Sequence, residues 1–155
     1  MKLWVVAVGQ RLPAWAETAC ADYLKRLGPD GPIGLRVVRA ATRHHADASA
    51  AIKQEESALQ AAIPKGALRV VLDERGQRLS TVALAQRVQR WQQDARDVAL
   101  IVGGADGLSV AWRNACDEQL RLSDLTLPHA MARVLLLEQL YRAWSLNHGH
   151  PYHRA

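Results

Sequence analysis

The chain has 155 residues, 49% hydrophobic and 23% charged, which suits a single folded domain with a real core and argues against a disordered chain. No run approaches the roughly 18 uncharged apolar residues that a membrane-spanning helix needs. The net charge is +5, and sixteen of the 20 basic residues are arginine, whose rigid fork pairs with phosphates and stacks on bases. A polyanionic partner competes here with the plainer reading of a solvated basic surface.

The elements follow in chain order. Leu3–Val8 is a β-branched apolar run ending at Gly9 and predicts a buried first strand. It turns polar without a small-residue cleavage site, so no secretory leader is expected. After Pro13, the residues Trp15, Ala19, Cys20, Tyr23, Leu24 and Leu27 fall at helical spacing, with Gly28-Pro29 as the stop. Residues 33–39 read as a second strand, and Arg43-His44-His45 as part of a polar loop. A helix over 47–63 ends at Pro64-Lys65-Gly66. Residues 68–72 read as a third strand, and Asp73-Glu74-Arg75-Gly76 as a loop or turn. Ser80 is a good N-cap for a helix presenting Leu84, Ala85, Val88 and Trp91 on one face. Val98–Val102 is a continuous apolar strand running into Gly103-Gly104, and a short helix follows Ser109. Residues 120–122 form a weak strand, 123–128 a loop, and 130–146 a long last helix.

Strands that are apolar throughout and alternate with helices predict an α/β fold, a mostly parallel sheet with helices on both faces. No repeat or linker divides it, so one domain over 1–155 is expected. Ligands of such sheets bind outside the carboxyl ends of the strands, which selects the loops after Val8, Leu72, Val102 and Leu122. The first loop has no G-x-G-x-x-G and so no ordinary dinucleotide fingerprint. The loop after Val102, Gly103-Gly104-Ala105-Asp106-Gly107, allows close backbone approach to a ligand or simply makes a tight turn. The loop Leu122-Ser123-Asp124-Leu125-Thr126-Leu127-Pro128-His129 could cup an adenine between leucines while its backbone reads the ring edge; otherwise it only connects strand to helix.

The last helix is apolar on more than one face, through Val134, Leu135, Leu136, Leu137, Leu140, Tyr141, Ala143 and Trp144. It is therefore a central core helix or a dimer interface, and the interface reading is preferred. The tail His148-Gly149-His150-Pro151-Tyr152-His153-Arg154-Ala155 lacks a carboxylate or cysteine to complete a metal site. It is either a disordered end or a base-stacking and phosphate-binding segment. His44 and His45 read as solvated. Cys20 and Cys116 lack C-x-x-C spacing and suit a reducing, cytoplasmic setting.

Taken together, the segments Met1-Lys2-Leu3 through Val8-Gly9, Leu72-Asp73, Gly103-Gly104-Ala105-Asp106-Gly107, Leu125-Thr126-Leu127-Pro128-His129, the stretch 133–144 and His150-Pro151-Tyr152-His153 resemble the SPOUT superfamily of knotted methyltransferases. Within it they are most similar to the RlmH (YbeA-type) family of ribosomal RNA methyltransferases. The resemblance covers essentially the whole chain. It implies a C-terminal trefoil knot whose loops, at Leu72, Asp73, Gly103, Gly104, Gly107, Leu122, Ser123, Asp124, Leu125, Thr126, Leu127 and Pro128, hold S-adenosyl-L-methionine. It also implies a homodimer, and N3 methylation of a pseudouridine in a stem-loop of large-subunit (23S) rRNA within the assembled ribosome. Ala105 and Ala130 depart from the family pattern at positions where Pro, or Pro and Gln, are common; neither removes a backbone contact.

For that chemistry N3 must lose a proton, so a base or a cation for the developing anion is expected. His153 and Arg154, reaching from one subunit into the partner's pocket, with Tyr152 stacking and Arg142 steadying charge, are the candidates. His129 is a second candidate base or a cofactor-orienting residue. Arg11, Lys25 and Arg26 are candidate RNA contacts. Two rivals remain: a non-enzymatic ribosome- or RNA-binding protein, and a metal-dependent hydrolase using the terminal histidines.

Overall fold

The computed structural model describes residues 1–9, 11–43 and 48–154, with His153 and Arg154 described through their backbone alone. Five strands, β1 (Leu3–Val8), β2 (Ile33–Val38), β3 (Leu68–Arg78), β4 (Val98–Val102) and β5 (Glu118–Arg121), form one sheet in the order β2-β1-β4-β3-β5. Every pairing is parallel, so all carboxyl ends share one edge. Five helices accompany them: α1 (Ala14–Arg26), α2 (Ala48–Ala62), α3 (Thr81–Gln93), α4 (Val110–Asn114) and α5 (His129–His148).

Alternation along the strands sorts the core into two layers. Leu3, Val5 and Ala7 face Leu84, Val88 and Trp91 of α3 and Leu136, Leu137 and Leu140 of α5. Val6 and Val8 face Leu59 of α2, with Leu108 and Trp112 beyond. Covered on both faces, β4 has all five residues buried, which is why it reads as an unbroken apolar run. Ser80 and Ser109 cap their helices as their types dictate, each hydroxyl oxygen accepting the amide N–H three residues on, at 3.1 Å from Ala83 and 3.2 Å from Trp112.

Two expectations change. The Asp73–Gly76 turn is a bulge inside a longer β3: Leu72 and Gln77 both pair with Leu120, and the strand runs on to Arg78. The polar D-E-R-G run carries a genuine turn signal, but the chain rejoins β5, whose sequence lies some forty residues later. Gly76 permits this, since a Cβ there would fall 2.6 Å from the Leu120 carbonyl carbon and 2.7 Å from its amide nitrogen. The tail does not fray at once: Gly149 ends α5 in the left-handed region at φ 67°, and Pro151–Arg154 forms a 3-10 turn. Helix α5 packs between α1 and α3, so its wide apolar surface is largely spent within the chain. Met131 (42% exposed) and Trp15 of α1 (51%) stay open. His44, His45 and the expected helix start at Asp47 lie outside the described residues, as does Gln10.

Candidate active site at the carboxyl edge of the sheet

Three of the strand-end segments converge. The bulge of β3 contributes Leu72, Asp73 and Glu74, the turn after β4 contributes Gly103, Gly104, Ala105 and Gly107, and the segment after β5 contributes Leu122, Ser123, Leu125, Thr126 and Leu127. With Val102, Arg121, His129 and Ala132 they line one open cleft of about 500 Å³. Ten of the twelve expected cofactor residues therefore lie on its wall. Asp124 and Pro128 do not: the Asp124 carboxylate pairs with Arg78 at 2.5 Å and Arg121 at 3.2 Å, bracing β5 to the end of β3. Asp73 reaches the wall while pairing with Arg113 of α4 at 3.3 Å. Leu125 is 77% exposed, an apolar side chain at the mouth with little of its own chain to cover it.

The turn after β4 is tied down from behind by α2. Glu55, wholly buried, accepts from the Ala41 amide at 2.9 Å and from Arg43 Nη1 at 2.8 Å, and Arg43 Nε in turn reaches Asp106 at 2.8 Å. These carboxylates, Glu55 foremost, push the Arg43 guanidinium above its ordinary range. The neighbouring Glu56 accepts from the Ser109 amide and hydroxyl, both at 2.8 Å. Adjacent acids of one helix thus hold the segment after β4, Glu55 through Arg43 at Asp106 and Glu56 at Ser109. Arg43, read as part of a polar loop, is instead drawn inward by this network. Its signal was available: Glu55 stands four residues from both Ala51 and Leu59, on the buried side of α2.

His129, at the start of α5, is half-buried on the cleft wall. Burial first, then Arg133, push its imidazole below the usual histidine range, against the opposing pull of the Val8 carbonyl, Glu55 and the Gly103 carbonyl. Tyr152 and Arg142 gather elsewhere. Tyr152 packs edge-on against Tyr141 (ring centroids 4.6 Å apart), bonds the Tyr23 hydroxyl through its own at 3.1 Å, and lies under Arg142 at 4.9 Å. Burial and the Tyr23 bond raise its phenol above the ordinary value. Arg142 pairs with Glu138 at 2.7 Å. This aromatic group on α1 and α5 contributes nothing to the cleft of its own chain, and the side chains of His153 and Arg154 lie outside the described residues. Among the described residues no cluster of three His, Cys, Asp or Glu groups could hold a metal ion, and no helix is long and apolar enough to cross a membrane.

A parallel sheet clothed on both faces, with a cleft of glycine turns and leucines at its carboxyl edge, defines an α/β protein built to hold an organic cofactor there. The sequence model of the family described as "Predicted SPOUT methyltransferase" matches residues 1–153. The chain belongs to the SPOUT methyltransferase family, whose methyl donor is S-adenosylmethionine. It is 61% identical over 155 residues to the ribosomal RNA large subunit methyltransferase H of Methylibium petroleiphilum, and 57% identical over 154 residues to that of Verminephrobacter eiseniae, with 99% of each chain covered in both cases. Among solved structures, a probable methyltransferase from Bordetella pertussis shares the fold at 18% identity, with a TM-score of 0.53 over 92% of this chain and 95% of the other.

Proposed function

We propose that the chain methylates N3 of a pseudouridine in a stem-loop of large-subunit (23S) rRNA, in the assembled ribosome of the cytoplasm, as a homodimer. The observation that carries this is the meeting of the β3, β4 and β5 end segments in one cleft. Support for the substrate comes from the relatives' names and from the arginine-rich charge.

The residues fit S-adenosylmethionine. Leu72, Leu122, Leu125 and Leu127 give an adenine apolar faces, the glycine turns offer backbone groups to its edges, and the cleft is roomy enough for the folded molecule. Glu74, on the same wall, sets a negative charge near a sulfonium. When bound, the cofactor supplies an already activated methyl group, so the protein's task is alignment and electrostatics. The N3 proton must leave before the nitrogen attacks; the imidazoles of His153 and His129 are the two candidates for it, with Arg154 and Arg142 facing the developing anion and Tyr152 stacking on the base. Because Tyr152 and Arg142 stand away from their own chain's cleft, these groups serve the cleft of the partner subunit in this reading. Exposed Trp15 and Met131, on α1 and α5, support a self-complementary contact through those helices.

The trefoil knot belongs to the same proposal. Its support is the match to the SPOUT methyltransferase model over residues 1–153. Affinity for free RNA should be weak and steeply salt-dependent, the ribosome supplying the remaining contacts.

The test is to incubate the protein with radiolabelled S-adenosylmethionine and naked rRNA, free subunits or whole ribosomes, then map the label. Incorporation at one pseudouridine of assembled ribosomes is expected; no incorporation with any substrate would remove the assignment. A variant lacking residues 152–155 that methylated at the full rate would eliminate the role given to the tail.

A further inference from the structure

Arg133 heads the wholly buried side chains, at 2% exposure, and carries its charge into the interior one turn along α5. Among the described residues no carboxylate lies within ion-pairing distance, and its Nε finds no partner. Its Nη2 donates instead to the carbonyls of Val8 at 3.1 Å and Gly9 at 2.6 Å, where β1 ends. The same nitrogen lies 3.3 Å from His129 Nε2. Nη2 carries two N–H groups, so one of them is shared between a carbonyl and Nε2; in that arrangement Nε2 accepts and the ring proton sits on Nδ1. The Val8 and Gly103 carbonyls also face the ring. Gly9 sits at φ +106°, and a Cβ there would approach Nε2 to 3.4 Å. The ends of β1 and β4 and the first turn of α5 therefore meet on one imidazole that lines the cleft.

We infer that His129 and Arg133 are a positioning pair: the neutral ring, locked by Arg133 as the Nδ1–H tautomer, holds the turns after β1 and β4 against α5 and shapes the cofactor cleft, and His129 is not the group that takes the N3 proton. Protonating Nε2 would set two donors and two cations face to face 3.3 Å apart. The charged groups facing the ring are Arg133 from α5 and Glu55 from α2, while β1 and β4 present only carbonyls. Burial and Arg133 outweigh Glu55 and those carbonyls, keeping the ring uncharged beside a site meant for a sulfonium.

The assignment deepens the methyltransferase reading and rests on it, yet its first test needs no cofactor. In the full chain labelled with 15N-histidine, two-bond proton–nitrogen correlations should show the Nδ1–H form of His129 persisting as the pH falls through the ordinary histidine range near 6.5. An Nε2–H pattern, or an ordinary titration, overturns it. The second test uses H129A and H129N, asparagine's amide nitrogen standing in for Nδ1–H. We expect H129A to weaken S-adenosylmethionine binding about tenfold by calorimetry, H129N to recover most of the loss, and neither to move the pKa of the pH–rate profile. If both variants bind the cofactor normally but lose about 100-fold or more in kcat, together with the basic dependence, His129 is the base and the inference fails. A wild-type chain that bound no S-adenosylmethionine would sink the underlying reading, and the tautomer would still decide this one.

Discussion

Replacing Glu55 by glutamine takes away one charge and no volume from a fully buried position. The carboxylate accepts from the Ala41 amide at 2.9 Å and from Arg43 at 2.8 and 3.3 Å. Breaking one half of a buried ion pair costs about 3–5 kcal/mol when nothing replaces it. Two features lower that figure here: Arg43 is 27% exposed and keeps Asp106 at 2.8 Å, and the carboxamide oxygen still accepts one bond. About half, roughly 2 kcal/mol, should therefore be lost. Urea unfolding reads it as a lower midpoint at unchanged slope. Calorimetry supplies a second readout, because Arg43 also steadies Asp106 in the turn between Gly104 and Gly107: affinity for S-adenosylmethionine should drop by about three- to tenfold. Stability within about 0.5 kcal/mol of wild type, with normal binding, would refute the reasoning and leave the turn held by its own backbone.

Gly76→Ala drives a Cβ into the backbone of β5, 2.6 Å from a Leu120 atom, and should cost about 3 kcal/mol while loosening the cleft; a variant as stable as wild type in urea would show that β3 and β5 have slack. Tyr23→Phe removes the hydroxyl that Tyr152 bonds and should cost about 1 kcal/mol while lowering methylation more than cofactor affinity, which separate rate and calorimetric measurements distinguish. Ser80→Ala deletes the α3 cap and should cost about 1 kcal/mol by thermal or urea melting without touching catalysis. For pH, the fold holds His129 below its ordinary value, so the unfolded chain takes up the proton first. Stability from this group is full above about pH 6.5 and declines as the pH drops below it towards the folded-state value. Urea titrations across that range should show H129N with a shallower acid-side decline than wild type; equal slopes would contradict the shift.

Local rules carried far along this chain. The β-branched runs of β1 and β4 announce strands buried on both faces, Ser80 and Ser109 announce helix starts, and Gly103-Gly104 directly after an apolar strand announces a tight turn, closed by the Gly107 amide on the Gly104 carbonyl at 3.0 Å. In each case the deciding interaction lies within a few residues, so composition and spacing suffice. The segment after Leu122 was more ambiguous, since a leucine-rich connection and a cleft wall read alike until β3 and β4 stand beside it.

What the tertiary structure alone decided are the relations between residues far apart in the chain. Asp73–Gly76 carries the local marks of a turn, but its return to Leu120 depends on a strand some forty residues later. Glu55 and Arg43 look like solvent charges until α2 lays them behind the turn after β4. Arg133 reads as a lone cation on an apolar helix until the end of β1 supplies the carbonyls that receive it, and the same contact sets the proton on His129. Hydrogen bonds and ion pairs require a few ångströms of separation and a direction, and a linear pattern records neither across a hundred residues.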